Sequence, residues 1–445
     1  MRWTALVLAV VAVAAQGQEG APGAARKQGT FYAVTCHGGD EALAEQALSV
    51  VEAVWPIVAA TFGVPDATPA RPLEVHLYRT PELYIAADDA LTGGKFRRNL
   101  AMSHWDSRSA HVALQPPCRD EALRALGLPP LTATMLAWEA THLARYELCP
   151  NFRDQPEWFG DGLASWVATQ VVAARRPAPA EAVPFWASDI VRVQRLLEAR
   201  KLPPVRSILS DEVADLDLQD RYATRCVFFM FAAAGREKLA KVADAVRRTR
   251  GGNGYAAAVL AEALAAFGGA DEPFAAFVRG LQPQWEEVYR SLWTAGTEWC
   301  QIAFPDANAI AWRRDPVAGG GFSAKGGLRI LPGEGRQLNL LFARGDEGFY
   351  SLAFVADQGF VLFDYRAKTE EWVRVGAGDA PGLRLGVSTD FAVSGRGSKL
   401  EVTLDGKSWT LDLPRPLPDR VAWGLGAQAK SAGLWQRVAV GPAGP

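Results

Sequence analysis

The chain changes its pattern of apolar and polar residues near Gly296. Before that point, apolar residues recur every three to four positions, as in EALAEQALSVVEAVWPIVAATFG, which predicts a helix that ends at Gly63. The segments PLEVHLYRT and SAHVALQPP alternate instead, so they predict two short strands, the second of which is ended by its prolines. Residues 31–115 are therefore expected to form a small α/β region.

Two long helices are expected after this region. The first runs from Leu131 to Leu148, because Pro150 cannot continue it. The second follows the segment DQPEW, in which Asp154 can cap the helix and Pro156 suits its first turn. Glu157 stands three residues after Asp154, which is the spacing of a capping box.

The remainder of the chain predicts a second domain of a different class. From Trp186 to Trp293 the pattern stays mostly helical, whereas short alternating runs such as FYSLAFVA follow Gly296. Such runs between turn residues are typical of an all-β sandwich. The expected fold class is α+β, with a mostly helical domain and small sheet in residues 31–295 and a sandwich in residues 296–445.

The first residues predict an exported protein. Residues 1–15 have a basic start at Arg2, an apolar run from Ala5 to Ala15 and small residues at its end, as a secretory signal peptide does. Residues 16–30 are expected to be a flexible linker. Because no other apolar run is long enough to span a bilayer, no transmembrane segment is expected. The predicted location is secreted, periplasmic or in the cell envelope.

The net charge and the cysteines indicate which partners and which disulfide bonds to expect. The formal net charge is -2, which gives no reason to expect nucleic acid as a partner. Export permits disulfides, and the five cysteines include Cys118 and Cys149 on either side of the first long helix. These two are the expected pair, whereas Cys226 lies in an apolar helical run and is expected to be a buried thiol.

The segment LAWEATHLARYE within the first long helix differs by one residue from a catalytic motif. In H-E-x-x-H, two histidines four residues apart bind zinc from one helical face, and the glutamate acts as a general base. In this chain Trp138 precedes Glu139, and His142 stands at the position of the second histidine. A carboxylate, Asp161, follows 19 positions after His142 in PEWFGDGLASWV.

WEATH and PEWFGDGLA together resemble the gluzincin metallopeptidases, in particular secreted bacterial families that carry H-E-A-T-H followed by P-x-W-[LF]-x-E-G-L-A. The resemblance covers about residues 30–290 and implies a zincin-like fold. It implies the general-base position for Glu139, the second zinc-ligand position for His142 and the third for Asp161. Trp138 holds the first ligand position, where an indole cannot ligate because its nitrogen is only a donor.

Three functions remain open at this stage. The first is a non-catalytic protein without a cofactor, in which Glu139, His142 and Asp161 are a vestigial polar cluster. The second is an active zinc peptidase in which His104 or His111, just ahead of the motif helix, replaces the missing ligand; His37 and His76 have less claim. The third is a structural module of the bacterial envelope.

The C-terminal segment FAVSGRGSKLEVTLDGKSWTL, with WGLGAQAKSAGLWQRVAV, resembles the concanavalin A-like lectin/glucanase sandwiches. The resemblance implies a sugar-binding domain. Trp372, Trp409 and Trp423 are candidates for stacking on a sugar ring. The strands carry no pair of carboxylates spaced as a glucanase would need, so glycosidase activity is not predicted. The expected ligand of the non-catalytic protein is therefore a glycan or a peptide.

Overall fold

The computed structural model divides the chain into two compact units. It describes residues 23–97, 99, 101–114, 128, 130–149, 151, 155–174, 187–213, 215–248, 255–283, 285–288, 292–295, 298–303 and 308–443. The predicted signal peptide lies outside the described residues. The predicted linker is wrong for residues 24–28, which form the first strand.

The first unit contains a five-stranded mixed sheet in the order β1-β2-β3-β5-β4. Strands β2, β3 and β5 run parallel, and each edge strand is antiparallel to its neighbour. The bounds are β1 Ala24–Gln28, β2 Tyr32–His37, β3 Leu73–Tyr78, β4 Ala101–His104 and β5 Ser109–Ala113. The predicted strands at PLEVHLYRT and SAHVALQPP are thus present as β3 and β5.

The helices that precede the sandwich strands in the chain occur mostly where apolar residues recur at helical spacing. They are α1 Glu41–Glu52, α2 Val54–Thr61, α3 Pro81–Thr92, α4 Pro130–Leu148, α5 Glu157–Ala174, α6 Ala187–Glu198, α7 Val205–Leu209, α8 Leu218–Ala234, α9 Arg236–Arg248, α10 Tyr255–Phe267 and α11 Asp271–Gly280. The two predicted long helices are α4 and α5, which pack against each other.

Helices α1 and α2 together span 21 residues, most of them apolar, enough by length and composition alone to cross a membrane. Half of this stretch is buried inside the protein. Val51, Trp55 and Val58 are almost fully buried, and the two helices contact β2 and α4. These contacts are those of core helices in a globular unit.

The two faces of the five-stranded sheet differ in chemistry. One face is apolar and packs on α4, to which the Tyr32 hydroxyl donates a hydrogen bond at the Ala140 carbonyl (3.0 Å). The opposite face carries polar aromatic side chains, among them His76 and Tyr78 of β3. Helix α3 packs on this second face, where Tyr84 meets the Tyr78 ring edge-on at 5.9 Å.

The start of α5 is capped from a distance rather than from its own sequence. The backbone N–H of Glu157 donates to the carboxylate of Asp211 (3.0 Å). The predicted cap, Asp154, lies outside the described residues. Gly162 lets α5 approach α8 closely, because a Cβ at this position would overlap the side chain of Phe229.

The second unit is an all-β sandwich of two seven-stranded antiparallel sheets. The first has the order β18-β17-β16-β11-β21-β8-β7, the second β15-β14-β13-β12-β20-β9-β6, and β10 pairs with β19 separately. A single apolar core that includes Phe342, Leu352 and Trp435 lies between the sheets. The strands are β6 Trp285–Val288, β7 Leu292–Ala295, β8 Glu298–Ile302, β9 Ala309–Arg313, β10 Val317–Ala318, β11 Gly321–Ile330, β12 Gln337–Gly345, β13 Gly348–Val355, β14 Gly359–Arg366, β15 Glu371–Asp379, β16 Thr389–Arg396, β17 Lys399–Leu404, β18 Lys407–Asp412, β19 Arg420–Val421, β20 Trp423–Ala427 and β21 Ala432–Gly441.

The sandwich begins earlier than residue 296. Strand β6 pairs with β9 and β7 pairs with β8, so residues 285–295 belong to the sandwich rather than to a helix. Trp285 of β6 is 1% exposed in the sandwich core. The second unit accordingly starts at residue 281 in its C-terminal part. Two strands of only four residues carry too few alternations to be recognised against the preceding helices.

The predicted Cys118–Cys149 pair is not supported. Cys149 is a buried thiol outside any disulfide, and burial raises its pKa to about 12, while Cys118 lies outside the described residues. Cys226 is a buried thiol outside any disulfide, as predicted.

Candidate functional sites

The residues of the degenerate motif lie where α4 and α5 pack together. Trp138, Glu139 and His142 belong to α4, and Asp161 belongs to the first turns of α5. Glu139 is 7% exposed, and the other three side chains are half-buried. The fold therefore brings Asp161 into the region of Glu139, where the charge of Asp161 contributes to raising the pKa of Glu139.

The environment of His142 is aromatic. Its ring meets Trp138 edge-on at 5.8 Å and stacks on Tyr146 at 6.3 Å, and Trp138 in turn packs against Tyr222 at 5.6 Å. Burial and the charge of Arg145 hold the pKa of His142 well below its ordinary value. Its Nδ1 atom is buried without a hydrogen-bond partner among the described residues. The imidazole is therefore neutral at physiological pH.

Glu139 is a protonated acid at neutral pH. Burial raises its pKa to about 8, and a hydrogen bond with Ser103 and the charge of Arg145 only partly oppose this shift. Ser103 also hydrogen-bonds the hydroxyl of Tyr146 at 3.0 Å, so β4 and α4 share this polar contact. A carboxyl group that is mostly protonated near pH 7 is a poor general base for hydrolysis.

One cation, Arg145, acts on all three groups. Burial raises the pKa of Asp161 to about 6, and the Arg145 guanidinium lowers it, as it does the pKa values of Glu139 and His142. Arg145 is only 8% exposed. Its guanidinium lies against Gly160, where a Cβ would collide with Nη1. We call Glu139, His142, Arg145 and Asp161 the polar centre.

The polar centre does not fit a zinc ion. Trp138 offers no ligand at the first position, Glu139 is protonated near neutral pH, and the guanidinium of Arg145 already supplies positive charge there. Zinc sites normally have three or four protein ligands. Across the part of the chain that the structure describes, no three His, Cys, Asp or Glu side chains are placed to hold a metal ion.

His104 and His111 lie on the sheet face away from α4. Ser103 and His104 are adjacent in β4 and so face opposite sides of the sheet, and Ser103 is the one that reaches Tyr146 of α4. His111 shares the far face, where its Nδ1 bonds to Tyr78 (2.8 Å) and its Nε2 bonds to Ser109 (2.8 Å). Neither histidine is placed to replace the ligand missing at Trp138.

Four of the five histidines of the chain instead meet on one sheet face, which we call the histidine face: His37, His76, His104 and His111. His37 Nε2 lies 3.0 Å from His76 Nδ1, and the His76 and His111 rings stack at 4.7 Å. Hydrogen bonds through two serines connect His111 with His104.

Three histidines of the histidine face have lowered pKa values. Burial is the main cause for His37, His76 and His111, and for His76, whose pKa falls to about 4, His37 and Arg26 add to it. Sequence reasoning missed this arrangement. The available signal was that His76 and His111 stand within the two predicted strands, PLEVHLYRT and SAHVALQPP.

A row of aromatic rings crosses the outer face of the second sandwich sheet. Trp372 of the edge strand β15 lies 4.8 Å from Tyr365, Tyr365 lies 5.0 Å from Phe349, and Phe349 lies 5.3 Å from Trp312. We call these four residues the aromatic strip. Trp372 is 49% exposed, the highest value for an aromatic residue in the described part of the chain.

Packing contacts account for the different exposure of the two ends of the aromatic strip. Trp312 lies across Gly424 of the adjacent strand, where a Cβ would be only 3.1 Å from its ring. The guanidinium of Arg344 covers the Trp312 ring at 5.3 Å, so this end is closed. Trp372 meets the edges of its neighbours at the sheet border, which leaves much of its indole in solvent.

The other two predicted stacking residues pack inside the sandwich. Trp409 contacts Phe360 at 5.1 Å and Trp423 contacts Trp285 at 5.4 Å, and both lie against the apolar core. The prediction that Trp409 and Trp423 stack on a sugar is therefore wrong, because both side chains pack against the core. Alternation alone could not separate them from Trp372, because a tryptophan suits either side of a strand.

Comparison with known proteins gives similarity for the sandwich alone. No family model and no curated protein matches the chain. Carbohydrate-binding module CBM66 from Bacillus subtilis is 11% identical, with 36% of this chain and 95% of that chain covered and a TM-score of 0.31. The exoplasmic/lumenal domain of VIP36 in its Ca2+/Man3GlcNAc-bound form is 12% identical (37% and 85% covered, TM-score 0.29). Galectin-Ib from Xenopus laevis is 10% identical (30% and 99% covered, TM-score 0.25).

Proposed function

We propose that this protein is a non-catalytic glycan-binding protein, exported from the cytoplasm, in which the sandwich binds sugar through Trp372. The first unit is proposed to have a gluzincin-like fold in which the polar centre has replaced the zinc site. The observation that carries the proposal is the half-exposed indole of Trp372 at the open end of the aromatic strip.

Binding at Trp372 follows from the chemistry of sugars. One face of a pyranose ring presents several C–H groups, which pack on the electron-rich face of an indole. Tyr365 and Phe349 hold Trp372 from its edges, so the ring is already fixed before a ligand arrives. Less conformational entropy is lost on binding to a rigid surface than to a mobile one.

Binding rather than hydrolysis is favoured by the state of the polar centre. A zinc peptidase needs an ionised base and a metal-bound water. Here burial keeps Glu139 protonated at neutral pH, and Arg145 rather than a metal ion supplies the positive charge. A peptide ligand and the structural envelope module stay alternative predictions. The zinc peptidase would need a recruited ligand other than His104 or His111.

Affinity electrophoresis and calorimetry against a panel of soluble plant and bacterial polysaccharides test the proposal. We expect at least one glycan to bind the full chain. Trp372→Ala should weaken that binding about 30-fold, equivalent to about 2 kcal/mol, which is a common cost for removing a central aromatic contact.

Trp105→Ala is the matched control, because Trp105 is 38% exposed and lies outside the sandwich. This variant should bind glycans as the parent does. If the parent binds no glycan in the panel, or if both variants lose affinity equally, the assignment of Trp372 to sugar binding is wrong.

A further inference from the structure

The open end of the aromatic strip lies beside an arginine that forms no ion pair with any residue the structure describes. Arg374 follows Trp372 by two positions in β15, so both side chains stand on the outer face of the sheet, about 7 Å apart along the strand. In register, Arg374 is opposite Phe363, another ring that packs against Trp372. Arg374 is exposed and belongs to no ion pair among the described residues.

The acidic residue adjacent to Trp372 is directed elsewhere. Glu371 is adjacent to Trp372 and therefore points to the opposite side of the strand, where it is in register with Arg366 and accepts a hydrogen bond from Thr369 (3.1 Å). The other arginine on the aromatic strip, Arg344, is used within the sheet, since it covers Trp312 and lies 3.4 Å from Glu286. Arg374, unlike Arg344, is thus available to a ligand on Trp372.

An indole with a guanidinium about one sugar ring away matches one class of glycan. Arginine binds a carboxylate through two parallel N–H···O bonds, and this planar geometry is what a uronic acid offers at its C5 carboxylate. The sugar ring can then stack on Trp372 while its carboxylate, or that of the next sugar in the chain, meets Arg374. Both contacts come from one short strand.

Resting on the proposed function, we propose that the ligand class is a carboxylate-bearing polysaccharide built from uronic acids, with Arg374 as its specificity-determining residue. Arg374 contributes little to a neutral glycan, because a neutral sugar gives the guanidinium no charge to neutralise. Trp372 contributes to both kinds of ligand.

Calorimetry with oligogalacturonate and its fully methyl-esterified form tests this inference on the full chain. The two probes share their sugar and linkage and differ by the methyl group that turns each charged carboxylate into a neutral ester. The parent should bind the acid form more tightly. Arg374→Gln should lower affinity for the acid form by about ten- to a hundred-fold and leave affinity for the ester unchanged, since a hydrogen-bonded charged pair is lost only with the acid.

Arg396→Gln is the matched control. Arg396 is also exposed, lies at the end of β16 in the other sheet and has no ion pair among the described residues. Arg396→Gln should behave as the parent. Equal small losses in both variants, diminishing with added salt, would mean that only the overall charge matters and would overturn the role of Arg374.

Two further outcomes separate the inference from the proposed function. If the ester binds as tightly as the acid, and Trp372→Ala weakens both, the ligand is a neutral glycan; the inference is then wrong although the proposed function stands. If neither probe nor any polysaccharide of the panel binds, both fail together.

Discussion

Replacing Asp161 with asparagine should stabilise the protein in alkaline solution and leave it unchanged in acid. Burial raises the pKa of this carboxyl from 3.8 to about 6, against the opposing charges of Arg145 and Arg225. The folded state therefore holds a proton on Asp161 that the unfolded chain has already released. The resulting cost to folding develops as the pH rises from about 4 to about 6 and is complete above that range.

The size of the effect follows from the shift. A pKa difference of about two units corresponds to about 3 kcal/mol, and the partial exposure of Asp161 reduces the expected value to about 2–3 kcal/mol. Asparagine has the shape of the protonated acid and never ionises. Asp161→Asn should therefore be more stable than the parent by this amount at about pH 8, and equally stable near pH 4.

Urea unfolding at the two pH values, followed by hydrogen exchange of peptides from α4 and α5, measures the change in stability of the first unit. The exposed Asp106→Asn is the control for removal of one negative charge, and it should behave as the parent at both pH values. If Asp161→Asn is less stable than the parent at about pH 8, the ionised carboxylate is compensated in the native protein. Such a result would favour a bound metal cation and refute our account of the polar centre.

Three further predictions concern packing, acid stability and the unit boundary. Gly160→Ala should destabilise the first unit by about 1–3 kcal/mol, because the new methyl group displaces a buried guanidinium; Gly269→Ala, which adds its methyl to open space, should have little effect in the same urea assay. As the pH falls below about 6.5, the free energy of unfolding of the parent should decrease by up to about 3 kcal/mol, because the pKa of His76 in the folded state is about 4 and lies below its ordinary value. If His76→Gln loses as much stability as the parent over the same pH series, this prediction is wrong. A fragment of residues 281–445 should give a cooperative thermal transition, whereas a fragment of residues 297–445 lacks β6 and β7 and should melt earlier; equal melting would show that these strands add no stability.

The main elements could be predicted because their patterns are long. Helix α4 has 19 residues and α5 has 18, so the apolar spacing is repeated several times in each. Strands of four or five residues at 24–28 and 285–295 repeat the pattern too few times, so the sequence alone predicts a linker and a helix there. Pairing with a distant strand, rather than local sequence, decides such segments.

The sequence predicts the chemistry of the candidate sites less completely than it predicts the fold. The positions of Glu139, His142 and Asp161 followed from the motif, but the importance of Arg145 did not, because a basic residue in a helix is usually solvated. Its burial depends on Gly160 of another helix. Similarly, Trp372 and Trp409 both occupy strands, and only the packing of Trp409 and Phe360 around Gly378 separates a core residue from an exposed one.

The guanidinium of Arg145 has a consequence for how the protein depends on its surroundings. A zinc ion is acquired from the environment, exchanges with competing chelators and leaves when its supply falls. A cation that is part of the polypeptide is delivered with every copy of the chain and cannot be withdrawn. The polar centre should consequently keep the same charge in metal-poor and metal-rich media, so the first unit should fold equally well whether zinc is scarce or abundant.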